Sequence, residues 1–220
     1  MVRIGISVEL KQKVPDIELH IIECDVEVWE SKKPLWQLIN IKTTEICETL
    51  KIEDISKIPA IQASRKAYKL CGKDPARYRL SAEALLRRTV KGANLYRINN
   101  VIDQLNLVSI STGYSIGGYD VDKIQGDVEF GIGRANEPYI GIGRGELNIE
   151  NLPVFRDSLG AFGTPTSDSE RTSVTQETLR FLMVIIGYGA NDRLKEASDM
   201  AVLLLKEFAK AVKFEIQIIK

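Results

Sequence analysis

The sequence predicts an α+β fold, and three observations carry that expectation. The two N-terminal segments alternate apolar and polar residues with period two, the mark of a half-buried strand. Stretches between Pro34 and Thr112 keep helical spacing, and Gly113–Gly163 breaks into short apolar pieces separated by turns. No internal repeat, low-complexity run or linker interrupts the 220 residues. A single domain over 1–220 is therefore expected, long enough to bury a sizeable core.

Taken in order, "VRIGISVEL" and "DIELHIIECDVEVW" read as strands, the second with Ile17, Leu19 and Ile21 on one face. His20 falls on the opposite, polar phase and is expected at the surface. Pro34 opens a helix through "PLWQLINIKTTEICETLK", as proline is tolerated in a first helical turn. A second helix runs from Pro59 to Leu70 and stops at "CGKDP". Ser81 reads as the N-cap of a third, closing at Gly92, and "NNVIDQLNLVSIST" reads as a fourth. "LRFLMVII" is a buried strand. Asn191 or Asp192 then caps an amphipathic helix through Leu194, Ala197, Ala201, Leu204, Leu205 and Phe208. "KFEIQII" closes the chain as an alternating strand. Within "SDSERTSVTQET", Ser173–Gln176 has the form of a capping box, which predicts a short helical turn.

Lys+Arg and Asp+Glu both total 30, so net charge gives no sign of a nucleic-acid partner. No stretch approaches the ~20 apolar residues of a membrane span, and the N-terminus lacks a signal-peptide core. Three scattered cysteines, Cys24, Cys47 and Cys71, fit buried free thiols in a cytoplasmic protein. One histidine in the chain excludes most Ser-His or Cys-His catalysis and supplies no zinc spacing; neither metal nor cofactor is expected. The GxG units of "GIGRANEPYIGIGRG" lack a nucleotide-loop pattern and read as hairpin glycines.

The main charge anomaly is Lys73–Arg97, with seven basic residues against Asp74 and Glu83. Arg77, Arg79, Arg87, Arg88, Lys91 and Arg97 form a candidate ridge for phosphate oxygens. Cations at a helix C-terminus also favour the helix dipole, so a structural role is equally available. Tyr78 and Tyr96 within the patch fit base stacking or core packing.

Three blocks, "RYRLSAEALLRRTVKG", "LYRINNVIDQLNLVSISTGYSIGGYDVDKIQGDVEF" and "SERTSVTQETLRFLMVI", resemble the B3/B4 domain of the phenylalanyl-tRNA synthetase beta subunit, above all in its stand-alone form. The resemblance covers about residues 60–190, with 1–55 and 191–220 as elaborations. It implies layered mixed and antiparallel sheets with packed helices, and tRNA or aminoacyl-tRNA as partner. It also implies an editing site that hydrolyses mischarged aminoacyl esters in trans. Nothing resembles the synthetase's aminoacylating domains. A non-catalytic module for RNA or an amino-acid-like ligand is the alternative.

By the same resemblance Glu170 would read a polar group on the aminoacyl moiety, with Thr172 beside it. Gly117, Gly118 and Asn106 would line the pocket. The family's histidine falls on Gly117, so its catalytic residues do not carry over. Asn106, Asp120 and Thr178 match the family pattern but also have structural readings, Asp120 as the cap of "DVDKI".

Overall fold

Strands apolar on both faces need cover on both sides, and the central sheet of this protein has it. The computed structural model describes residues 1–220. Strand β2 (Ile17–Asp25) pairs antiparallel along its whole length with β9 (Arg180–Tyr188), from Ile17 opposite Tyr188 to Asp25 opposite Arg180. With β10 (Val212–Ile219) and β3 (Ser115–Asp120) outside them, the sheet order is β10-β2-β9-β3. Ile17, Leu19 and Ile21 face one core, and Ile22 and Cys24 face the other.

The first core lies between this sheet and a second one of order β1-β4-β7-β8. Its strands are β1 (Ile4–Ile6), β4 (Val128–Ile132), β7 (Pro153–Asp157) and β8 (Gly160–Gly163). Phe155 and Phe162 from the second sheet pack there against Tyr119, and Phe130 stacks on Phe155. The larger core lies under the helices α2 (Lys33–Thr49), α3 (Pro59–Cys71), α4 (Ser81–Val90), α5 (Asn100–Thr112) and α6 (Leu194–Ala209). The result is a sheet, a sheet and a helical layer, and the α+β expectation holds. A hairpin of β5 (Ile140–Gly141) and β6 (Gly145–Glu146) forms a third sheet, bridged to the main body at Ser169. No helix is long and apolar enough to cross a membrane.

Several local expectations change. "VRIGISVEL" is not one strand: β1 ends at Ile6, and Ser7, whose hydroxyl accepts the Leu10 N–H, starts helix α1 (Val8–Lys13). A good N-cap outweighs short alternation. His20 is buried, its Nε2 2.9 Å from Glu18 Oε1, because β2 is covered on both faces and the polar phase has no route to solvent. Ser81 is the first residue of α4 rather than its cap, and its N–H donates to Pro165 O. The cap position of α6 is Arg193; Asn191 instead accepts the Gly189 N–H and donates to Asp16 O. Cys47 is exposed on α2, whereas Cys24 and Cys71 are buried; all three are free thiols.

The polar stretch 167–178 forms a 3₁₀ turn at Glu170–Thr172 and no helix at Ser173–Gln176. The capping serine has no helix to cap. Thr178 closes the loop instead, accepting the Thr175 N–H and donating to Asp120 Oδ2 at 2.7 Å. Asp120 does cap its turn, accepting the Asp122 N–H.

Candidate functional site

The glycine pair of β3 points to both sides of the sheet, and the two residues do different things. On the inner side, the Tyr119 ring fills the space over Gly117 and Gly163. A Cβ on either glycine would lie 2.2 Å from the phenol oxygen. Gly117 is therefore room for Tyr119. On the helical side, Gly118 lets α5 approach closely: a Cβ there would meet Leu105 Cδ1 at 2.7 Å and the Phe181 ring at 3.1 Å.

Between β3, α4, α5 and the loop 164–168 lies a cavity of about 140 Å³. Leu85, Ile102, Leu105 and Ile116 give it apolar walls, and Ser81, Asn106, Ser109, Thr164, Ser167 and Asp168 give it polar groups. The loop passes the free edge of β3, and this brings Asp168 to both faces at once. Its Oδ1 accepts the Tyr119 phenol proton at 2.9 Å, while the residue borders the cavity. Burial pushes the Asp168 carboxyl up to about 7, against the pull of Tyr119 and of the Gly118 and Thr164 amides. An acid with a pKa near neutrality inside an apolar-walled cavity is a recurring mark of a functional site.

The other hydroxyls are partly committed. Ser109 donates to Tyr114 O at 2.7 Å and Thr164 to Ser167 O at 2.9 Å. The side chains of Asn106 and Ser81 make no hydrogen bond within the protein, and both border the cavity. The site thus offers a carboxyl, a free amide and a free hydroxyl to an occupant of a few heavy atoms.

Of the residues that the sequence singles out, Asn106 and Gly118 share this cavity. Gly117 does not line it, for the reason given. Glu170 is exposed at the start of the 3₁₀ turn and is not part of the wall. Thr172 is buried beside it with an unpartnered hydroxyl, also off the cavity. Arg171 turns the opposite way into a two-pronged pair with Asp157, both contacts 2.9 Å. Burial opposes ionisation of Asp157, yet Arg171 and the Gln125 and Leu159 amides hold its carboxyl below the usual range. Asp168 itself was not legible. It stands two residues before Glu170 in one polar run, and nothing in the spacing separates them.

The basic segment does not form one row of free cations. Arg88 stacks 4.0 Å over Tyr96 and donates to Asn94 O and to the Tyr96 hydroxyl. Arg97 lies 4.5 Å over Trp36, and Lys73 is buried, donating to Asn148 O and Glu150 O beneath Tyr78. Arg87 is paired with Glu83. Arg77, Arg79 and Lys91 are exposed. No three His, Cys, Asp or Glu side chains converge as metal ligands would.

The B3/4 domain matches residues 63–210, two-thirds of the chain and every residue of the cavity wall. The protein belongs to the B3/4-domain family. It is similar to an N-terminal fragment of the phenylalanyl-tRNA synthetase beta subunit from Pyrococcus horikoshii. That likeness has 17% identity and a TM-score of 0.47, over 99% of this chain and 50% of the other. The chain thus spans about half the length of that fragment. No curated protein matches it.

Proposed function

We propose that this B3/4 protein acts as one unit that binds the aminoacylated 3′ end of a tRNA and hydrolyses the ester in trans. The observation that carries the reading is Asp168, a near-neutral carboxyl beside the unpaired amide of Asn106 in one small cavity. In this reading the aminoacyl group enters over Gly118. Asp168, rather than Glu170, is the acidic group that meets it.

The chemistry needs no histidine. The Asp168 carboxylate takes a proton from water as the water oxygen bonds to the ester carbonyl carbon. The Asn106 amide donates to the carbonyl oxygen as it gains charge. The bond from carbon to the ribose oxygen then breaks, and the proton passes to that oxygen. Single-turnover deacylation across a panel of mischarged tRNAs tests the reading, with Asp168→Asn and Asn106→Ala beside wild type. Hydrolysis of none of them would remove the enzymatic half.

One observation favours a second reading, a module that binds RNA or an amino-acid-like ligand without turnover. Asp168 Oδ1 already accepts the Tyr119 phenol proton, which draws on the basicity of the one carboxyl on the cavity wall. Saturable tRNA binding with no deacylation in the same assay supports that version.

A further inference from the structure

Helix α4 carries a cluster that the charge count of the sequence conceals. The Glu83 side chain is 1% exposed, and three guanidiniums gather on its carboxylate. Arg65 Nη1, from α3, is 2.8 Å from Oε2; Arg87 Nε is 2.9 Å from Oε1; Arg79 Nε is 3.9 Å from Oε1. A buried carboxylate needs a partner, and one or two guanidiniums already satisfy it. Three positive groups on one negative leave a net charge of +2 in one place. Like charges held together raise the energy of the empty site.

The third arginine is the informative one. Arg79 is 47% exposed, and at 3.9 Å it makes no hydrogen bond to Glu83, so its whole fork is free. Arg65 and Arg87 are about a quarter exposed and each spends a single N–H on Glu83. Several other arginines are balanced: Arg171 meets Asp157, Arg156 meets Glu137, and Arg88 and Arg97 lie on aromatic rings. Only in the Glu83 cluster do three arginines share one carboxylate. Planar forks arranged this way match the oxygens of a phosphate.

We propose that Arg65, Arg79 and Arg87, organised by Glu83, form a phosphate-binding clamp. Resting on the tRNA reading above, its ligand is a backbone phosphodiester of the bound RNA, away from the esterified 3′ end. Ser81 and Leu85 border the cavity, whereas Glu83 and Arg87, each two residues further along α4, lie on its other side, so the clamp meets the RNA at a separate point.

Two measurements test it. In the first, inorganic phosphate is titrated against ¹⁵N-labelled protein, with chloride as control, while the arginine Nε–H resonances are followed. In the second, a short unacylated RNA oligonucleotide is bound at several salt concentrations. Wild type, Arg79→Gln, Arg65→Gln and the control Arg193→Gln are compared. Arg79 makes no short contact, so its loss leaves the fold intact, as a thermal melt verifies.

We expect phosphate to move the three resonances. We also expect Arg79→Gln to weaken RNA binding several-fold and reduce the log–log salt slope by about 0.7. RNA binding with a slope unchanged in both Arg79→Gln and Arg65→Gln overturns the clamp and leaves the cavity reading standing. Failure to bind RNA, with phosphate still shifting the resonances in wild type but not in Arg79→Gln, removes the RNA reading and keeps the clamp. Silence in both measurements removes both.

Discussion

The two faces of β3 use adjacent glycines to opposite ends. Over Gly117 the space is completely taken, by a tyrosine ring that also fits against Gly163 and holds Asp168 by its hydroxyl. Over Gly118 the missing side chain lets a helix come close and leaves a small cavity with unspent polar groups. The filled face fixes the position of the carboxyl; the open face gives it something to act on. A site of this kind needs both, since a functional side chain is only as well placed as the packing behind it.

The largest expected effect breaks the filled face. Gly117→Ala sets a methyl 2.2 Å from the Tyr119 oxygen, and overpacking of this kind costs about 3 kcal/mol. Urea denaturation should show it, with partial recovery when Tyr119→Phe is added. On the open face, Asp168→Asn should lower single-turnover deacylation by about 100-fold, the scale of general-base loss. Its thermal melt at neutral pH should stay cooperative.

A third effect connects the two faces through pH. The folded-state pKa of Asp168 is raised to about 7 from an ordinary 3.8, so between those values the folded state holds more protons than the unfolded one. The contribution of this group to stability is therefore fully present below about pH 4. It is lost as pH rises through 7. Denaturation midpoints of wild type minus Asp168→Asn, followed from pH 4 to 8, should fall across that window. Deacylation should rise over the same window as the carboxylate forms. The smallest effect separates two neighbours in sequence: Glu170→Ala, at an exposed position off the cavity, should change stability by less than about 0.5 kcal/mol. It should leave deacylation close to wild type. A large loss there would return the acidic role to Glu170.

Much of the fold was legible because its signals are local. Period-two apolarity marked β2, a bounded apolar run marked β9, and Pro59 and Gly72 marked helix ends from their own backbone chemistry. Legibility failed wherever a residue's meaning depended on a distant neighbour. His20 looked like a surface residue because alternation in one strand does not tell whether a second layer covers its polar phase. Asn106 and Gly118 were singled out and share the cavity. Gly117 was singled out for the same pocket, and only the ring of Tyr119 explains it.

The sequence by itself determined most of the elements, their order and the polar character of residues 167–178, since propensity, capping and periodicity act over a few residues. The tertiary structure alone decided which carboxyl meets the cavity, because Asp168 and Glu170 are equivalent until a loop lays one of them along the edge of β3. It also decided that part of the basic segment is spent on aromatic rings and carbonyls. The excess of charge is left where Arg65, remote in sequence, joins Arg79 and Arg87 on a buried Glu83. Charge can be counted along a chain, but its balance is set by distance, and distance belongs to the fold.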